Sequence, residues 1–372
     1  MRARDFGIAI GTGRPGSLNA ITDIPGVRVG HATLVRGDGP LRVGEGPVRT
    51  GVTVVLAHSA ELSTEPVFAG WHRLNGNGEL TGTTWIRESG MLTSAIGLTN
   101  THSVGVVRDA LVAAAARARP EGDPFWSLPV VGETWDGLLS DINGQHVTRA
   151  DTDAALAAAA EGRVAEGSVG SGTGMICHGF KGGIGTASRL VETRGASYTI
   201  GVLVQANHGR RERFTVDGIP VGRLLGEEVV PTPKARDEAE RRGSIIVVVA
   251  TDAPLLPHQC ERLAQRAGLG VARMGGVGEH WSGDLFLAFA TGNRLEPSDL
   301  GRRPAPVAEL RMLADAYITG LFDAVVEATE ESILNAVLAA ETMVGRDGIT
   351  AHGLGGDLLV AALTRYRWER AS

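Results

Sequence analysis

The chain has 372 residues, of which 43% are hydrophobic and 21% are charged, so it can bury a large core in one or two domains. A formal net charge of -6 and an isoelectric point near 6.0 exclude a strongly basic surface, and we predict no nucleic-acid partner. Because the sequence has neither an apolar run of about 18 residues nor a signal-peptide core, we expect a cytoplasmic protein without a membrane partner.

Two glycine-rich segments resemble nucleotide-binding loops only superficially. GTGRPG (11–16) has GxGxxG spacing, but Pro15 lies inside the turn and Pro25 follows before a useful helix can form. GSGTGMICHGFKGGIGTASR (170–189) lacks the GxxxxGK[ST] pattern of a phosphate loop. We interpret both segments as turns, the second of which could form one wall of an active site, and we predict no organic cofactor.

Five apolar runs of strand length recur along the chain. They are VTVVLA (52–57), AIGLT (95–99), YTIGVLVQA (198–206), SIIVVVAT (244–251) and LFLAFAT (285–291). Segments with helical periodicity cover 103–119, 151–162, 256–268 and 306–345, and we interpret the last as two helices. Strands this apolar need cover on both faces, so we predict an α/β fold with two central sheets covered by helices.

The cysteines and histidines do not indicate metal, disulfide or triad chemistry. Only Cys177 and Cys260 are present, and neither belongs to a CxxC pair or to the Cys/His spacing of a metal site. Ten histidines occur, but no GxSxG motif supplies a serine for a histidine-based triad. We therefore expect no metal, and a serine nucleophile in this chain needs a different base.

Ser244 offers such a base, because it follows a glycine after a charged, proline-containing linker (227–243). One interpretation is structural: Gly243 ends a helix over 234–242, and Ser244 begins a buried strand. The other is chemical: cutting the Gly243–Ser244 bond frees the α-amine of Ser244, which titrates near about pH 8 and can accept the proton of its own hydroxyl. Gly243 suits the cut, because it has no Cβ to block attack on its carbonyl.

The segments around Ser244 belong to a set of motifs that spans most of the chain. The set comprises LNAITDIPGVRVGH (18–31), NGNGELTG (75–82), LTNTHSVGVVRDA (98–110), PVVGETWDGLLSDING (129–144), GTGMICHGFKGGIGTASR (172–189), LVQANHG (203–209), GSIIVVVATDAPLLPHQ (243–259) and SGDLFLAFATGN (282–293). In order and spacing it resembles the self-processing L-aminopeptidase/D-amidase-esterase and β-peptidyl aminopeptidase family, which are serine aminopeptidases of the N-terminal-nucleophile type. The resemblance favours the chemical interpretation of Gly243–Ser244.

The resemblance implies a four-layer αββα sandwich similar to the ornithine acetyltransferase type, formed by residues 1–372 as one catalytic unit. It implies autocatalytic cleavage into a large subunit, 1–243, and a small subunit, 244–372. These processed heterodimers are expected to assemble as a homotetramer, for which the long C-terminal helices supply apolar faces. The implied activity is hydrolysis of an N-terminal residue from short peptides, amino-acid amides or esters, without a metal or organic cofactor.

Matching positions imply the catalytic residues. Ser244, released by the cut after Gly243, corresponds to the nucleophile that forms the acyl-enzyme. Asn207 corresponds to the oxyanion-hole donor, whose amide needs no deprotonation to face developing negative charge. Ser282 and Asp284 correspond to the pair that supports the nucleophile and its amine. Some members have glutamate at the position of Asp284, so the carboxylate here reaches one methylene less far.

Two further positions imply substrate contacts. Glu133 corresponds to the carboxylate that pairs with the free amino group of the substrate. Trp135 departs from members that have a tyrosine hydroxyl near the oxyanion, because an indole offers only an N–H donor. We expect this difference to affect substrate scope, and the sequence does not fix the preference among L-, D- and β-amino acids.

Two alternative functions stay open at this point. An acyltransferase of related fold, similar to ornithine acetyltransferase, would pass the acyl group to an amine instead of water. That enzyme type has threonine after the cut, so Ser244 argues against it. A non-catalytic glycine-rich binding protein would never cleave its own chain.

Overall fold

The computed structural model describes residues 1–59, 62–122, 125–233, 243–295 and 307–371. Its strands are β1 (Arg28–Arg36), β2 (Val48–Leu56), β3 (Val67–Gly76), β4 (Met91–Leu92), β5 (Ile96–Asn100), β6 (Val130–Thr134), β7 (Ile176–Cys177), β8 (Phe180–Lys181), β9 (Gly183–Thr193), β10 (Ala196–Asn207), β11 (Ser244–Thr251), β12 (Gly283–Ala290), β13 (Met343–Val344) and β14 (Thr350–Ala351). Its α-helices are α1 (Thr83–Ser89), α2 (Val104–Arg117), α3 (Arg149–Ala157), α4 (Val221–Leu224), α5 (Pro257–Arg273), α6 (Thr319–Ala339) and α7 (Gly356–Ala371). None of these helices is long and apolar enough to cross a membrane.

Two mixed sheets form the centre of the molecule, and the predicted α/β class is confirmed. The first has the strand order β1-β2-β5-β6, and the second has the order β4-β3-β12-β11-β10-β9. In the second sheet, β11 runs antiparallel to β10 and parallel to β12. Every residue of β11 and of β12 is buried, as expected for continuous apolar runs that are covered on both faces.

The two large sheets face each other across an apolar cluster that contains Ile246 of β11 and Leu98 of β5. Helices α5 and α6 pack on the six-stranded sheet, and α2 and α3 pack on the four-stranded sheet. Because side chains alternate along a strand, Ser244 points to the same side as Ile246, toward the four-stranded sheet. This orientation brings Ser244 to the space between β11 and β6.

The strand predictions are confirmed with small shifts of their ends, and three predicted helices correspond to α2, α3 and α5.

The prediction of two helices over 306–345 is wrong, because the described part of that segment contains one α-helix, α6. Residues 307–314 are not helical there. The side chain of Asn293 hydrogen-bonds both the backbone N–H and the carbonyl of Arg311, and the N–H of Leu313 donates to the Pro254 carbonyl. These backbone groups are therefore not available for helical hydrogen bonds. The helix predicted over 234–242 lies outside the described residues.

The first glycine-rich segment lies beside β9, where Arg14 pairs with Leu190 in an isolated bridge. It is followed by a single 3₁₀ turn (Ile21–Asp23) and then by β1. A dinucleotide site requires a helix directly after the glycines. The segment is thus a turn, as its prolines predicted.

Candidate active site

One edge of the six-stranded sheet holds the end of one strand and the starts of its next two neighbours. Asn207 is the last residue of β10 and pairs with Ser244, the first residue of β11. Ser244 also pairs with Gly283, the first residue of β12. Since Ser282 and Asp284 flank Gly283, the fold brings four of the sequence-predicted site residues to the same edge.

The hydroxyl of Ser244 lies against the peptide bond that precedes it. Its Oγ donates a hydrogen bond of 2.7 Å to the carbonyl oxygen of Gly243 and accepts one of 3.1 Å from the N–H of Gly283. Only 4% of the Ser244 surface is exposed. A Cβ at position 243 would lie 3.0 Å from the Asn207 carbonyl and 3.1 Å from the His208 Cα. The close backbone explains why a residue without a side chain precedes the serine.

The Asn207 amide is oriented by two backbone partners. Its Oδ1 accepts the N–H of Ile176 at 2.8 Å, and its Nδ2 donates to the carbonyl of Trp135 at 2.9 Å. An amide nitrogen carries two hydrogens, so one N–H remains for a further acceptor. Trp135 contributes its backbone carbonyl to this arrangement, and its indole packs over Gly137.

Ser282 and Asp284 form a hydrogen-bonded pair beside Ser244. The Ser282 hydroxyl donates to Asp284 Oδ1 at 2.5 Å, and both residues are buried. Burial raises the pKa of Asp284 to about 6, although the hydrogen bond from Ser282 acts in the opposite direction. The carboxyl also accepts a hydrogen bond from the backbone of Ile245.

Asn75 is a supporting residue to which the sequence analysis gave no role. Its Nδ2 donates to the carbonyls of Glu279 and Ser282, and so it ties the segment before β12 to the end of β3. The motif NGNGELTG (75–82) contains this residue but does not indicate its partner, because the contact crosses about 200 residues of sequence.

Glu133 lies on β6 of the four-stranded sheet, which faces the six-stranded sheet that carries Ser244. Its carboxylate accepts hydrogen bonds from the backbone N–H of Glu79, at 2.9 Å, and from the Thr101 hydroxyl. Burial raises the pKa of this carboxyl. A Cβ on Gly78 would lie 3.0 Å from Glu133 Oε1 and 2.9 Å from the Gly283 Cα, so the width of one glycine separates Glu133 from the start of β12.

A cavity opens at this strand edge. Its walls include Trp135, Asn207, Gly243, Ser282 and Asp284, together with residues 208–212 and 276–279. Glu133 and Ser244 are not part of the cavity lining, whereas the other predicted site residues are.

A second group of reactive side chains includes His208, which lines the cavity. Potential ligand atoms of Cys177, His178 and His208 all lie within 4.8 Å of one another, and the three residues are buried. No motif in the sequence indicates this group, because His208 directly follows β10 and the other two residues come from the β7–β8 hairpin. Both Cys177 and Cys260 are free thiols.

Comparisons with known proteins give consistent matches over nearly the whole chain. The peptidase family S58 profile matches residues 19–351. The β-peptidyl aminopeptidase of Sphingosinicella microcystinivorans is 48% identical, over 98% of this chain and 92% of its own length. A Burkholderia sp. β-aminopeptidase superposes with a TM-score of 0.91 at 53% identity, covering 98% of this chain and 99% of its own. The L-aminopeptidase D-Ala-esterase/amidase of Ochrobactrum anthropi, described as a prototype of the serine aminopeptidases and a variant of the Ntn hydrolase fold, gives 0.89 at 44% identity, with 98% of both chains covered.

Proposed function

The chain belongs to peptidase family S58, and we propose that it is a self-processing serine aminopeptidase that removes the N-terminal residue from short peptides, amino-acid amides or esters. The contact of Ser244 Oγ with the Gly243 carbonyl, at the edge that also carries Asn207, is the observation that supports this function best. The hydroxyl is beside its own preceding peptide bond, and a hydrogen-bond donor is one strand away.

Self-processing is the first step of the proposed chemistry. Ser244 Oγ forms a bond to the Gly243 carbonyl carbon, the C–N bond breaks, and the nitrogen takes up a proton. Water then hydrolyses the ester, which leaves a carboxylate on Gly243 and a free α-amine on Ser244. The products are the fragments 1–243 and 244–372.

The freed α-amine is the proposed base for substrate hydrolysis. It accepts the proton of the Ser244 hydroxyl as Oγ attacks the substrate carbonyl and later gives that proton to the leaving amine. Asp284 accepts a hydrogen bond from the backbone of Ile245, the residue after the nucleophile. We assign the Ser282–Asp284 pair the role of stabilising the ammonium that forms during the reaction.

Asn207 is the proposed donor to the oxyanion of the two tetrahedral intermediates of substrate hydrolysis, one formed in acylation of Ser244 and one in its deacylation. Its Nδ2 donates one N–H to the Trp135 carbonyl, and the other N–H is left for the oxygen on which negative charge develops. Because Ile176 and Trp135 hold the two ends of the amide, no reorientation is required during the reaction. Water attacks the acyl-enzyme at the same position, which completes the hydrolysis.

Glu133 is the proposed anchor for the amino group of the substrate. Its carboxylate lies behind Gly78 and next to the start of β12, so it can define the depth to which a substrate enters. An incoming ammonium offsets the burial that raises the pKa of Glu133 and favours the ionised form. A peptide bond one residue from a free amine is then the bond presented to Ser244.

Loss of the substrate charge and loss of the Glu133 charge are expected to have the same effect. N-acetylation of a good substrate and Glu133→Gln should each lower kcat/KM by about tenfold to a hundredfold, as expected for a charge-assisted hydrogen bond of about 1.5–3 kcal/mol. Steady-state kinetics on an aminoacyl amide and its N-acetyl form, with both proteins, completes a double-mutant cycle. Glu133→Gln should still cleave its own chain, because processing involves no substrate amine.

Glu79→Gln is the matched control, because Glu79 is an exposed acid whose backbone already contacts Glu133. Its kcat/KM should stay close to that of the wild type. If the wild-type protein hydrolysed the acetylated and the free substrate equally fast, Glu133 would not be the anchor and the aminopeptidase assignment would fail.

The finer features of the fold and assembly belong to the same proposal. A four-layer αββα unit of the type found in ornithine acetyltransferases is supported by α5 and α6 on one sheet and α2 and α3 on the other. We propose that residues 1–372 form this single unit. The homotetramer and the cytoplasmic location stay predictions.

A further inference from the structure

We propose that Cys177, His178 and His208 bind a thiophilic divalent cation such as Zn²⁺ in the wall of the active-site cavity. This site is separate from the proposed hydrolysis, whose steps use the side chains and the α-amine at the strand edge. It is formed by two segments, the β7–β8 hairpin and the end of β10. The two segments are fixed to each other by a backbone hydrogen bond of 2.7 Å from His178 N–H to the His208 carbonyl.

The first pair of ligands already has the spacing that a metal requires. Cys177 Sγ lies 3.8 Å from His208 Nδ1. With Zn–S near 2.3 Å and Zn–N near 2.1 Å, sulfur and nitrogen ligands of a tetrahedral zinc ion are about 3.6 Å apart. All three ligand atoms lie within 4.8 Å of one another, so closing the site around an ion requires movements of about 1 Å.

The hydrogen bonds of His178 leave a lone pair free for the metal. Its Nδ1 lies 3.1 Å from the carbonyl of Arg210, and a carbonyl can only accept, so Nδ1 carries the hydrogen. Nε2 is then an acceptor, and it is buried without a partner among the described residues. Histidines that bind metals commonly donate their second nitrogen to a carbonyl in this way. In His208, Nδ1 is the nitrogen that faces Cys177 Sγ, so Nδ1 is the ligand atom and Nε2 carries the hydrogen.

The backbone around His178 is built to hold the ring in place. His178 has a φ of 50°, in the left-handed region that few residues other than glycine adopt. A Cβ on Gly209 would lie 2.2 Å from the His178 ring, so only glycine allows the close approach. The ring also packs against Phe214 and His208, with centroids 4.9 Å and 5.0 Å apart. Such strained positions are frequently functional.

The cavity allows a cation to reach the site. His208 and Gly209 line the cavity, so an ion held by three protein ligands can take water as its fourth. Glu212 and Glu227 line the same cavity, together with Arg210 and Arg211 of opposite charge. A bound zinc ion displaces the proton of a coordinating thiol, so Cys177 would bind as the thiolate.

Cobalt titration tests the site directly, since Co²⁺ replaces Zn²⁺ and gives a thiolate charge-transfer band in the near ultraviolet. The purified protein is stripped with a chelator, titrated with Co²⁺, and then titrated with Zn²⁺. We expect one Co²⁺ per processed heterodimer, a band of that type, and loss of the band when Zn²⁺ displaces cobalt. The Cys177→Ser variant should lack the band and should bind Co²⁺ at least about 100-fold more weakly, because it loses one of the three metal ligands.

Cys260→Ser is the matched control, because Cys260 is an equally buried free thiol in α5 whose Sγ contacts the Phe68 carbonyl. It should behave like the wild type. A wild-type protein without the band, or a band that persists in Cys177→Ser, would overturn the proposal. If circular dichroism shows that Cys177→Ser is unfolded, His178→Asn decides the question, because asparagine tolerates the left-handed conformation. It should weaken cobalt binding at least tenfold, and unchanged affinity would exclude the site.

Discussion

Ser244→Ala is expected to remain one uncut chain and to lose hydrolysis of aminoacyl amides by about 10⁴-fold or more. Alanine has no hydroxyl to attack the carbonyl carbon of Gly243. In the wild type, the Ser244 hydroxyl lies 2.7 Å from the oxygen of that carbonyl. Without the cut, the α-amine that serves as the base never forms. Both functions of the residue are therefore lost together, and gel electrophoresis and steady-state kinetics on the same preparation measure them.

Ser332→Ala is the control for this experiment. Ser332 is also a buried serine, but its hydroxyl donates to the Ala328 carbonyl inside α6. This variant should be cut and active like the wild type. Activity of Ser244→Ala within tenfold of the wild type would rule out Ser244 as the nucleophile.

The second large effect is expected for Asn207→Asp, which should lower kcat by about 10² to 10³-fold. Aspartate keeps the oxygen that accepts the Ile176 N–H, but it removes the N–H donors and places negative charge beside the oxyanion. It also sets a carboxylate against the Trp135 carbonyl, which now accepts from the amide. Single-turnover kinetics with an aminoacyl ester separates the loss in acylation from any change in binding.

Asn293→Asp is a suitable comparison, because Asn293 also bonds one backbone N–H and one carbonyl, both of Arg311. It tests whether a buried asparagine-to-aspartate change by itself reduces activity. We expect little change in kcat for this variant. A kcat of Asn207→Asp within about threefold of the wild type would remove Asn207 from the oxyanion site.

The strands could be predicted from the sequence because a buried strand consists of consecutive apolar residues, which local composition shows directly. Residues 245–250 are continuously apolar, and β11 contains them with one polar residue at each end, Ser244 and Thr251. The helices were less predictable where a distant side chain competes for the backbone. Asn293 binds Arg311, and no periodicity within 306–345 reveals that contact.

The site could be predicted only as a set of residue types, and its geometry depends on strand pairing. Motif resemblance indicated Asn207 and Ser244, but their direct opposition follows from the antiparallel register of β10 and β11. The position of Glu133 behind Gly78 depends on how the two sheets pack. The group that contains Cys177 was missed for the same reason, because its members meet only after the hairpin folds against β10.

The intact mass of the purified wild-type protein under denaturing conditions tests the central claim, that Ser244 frees its own α-amine to become the catalytic base. The account predicts two species, 1–243 and 244–372, with the second beginning at Ser244 when its N-terminus is sequenced. A single 38.8 kDa chain that nevertheless hydrolyses aminoacyl amides would contradict it, because the amine of Ser244 would still be part of a peptide bond.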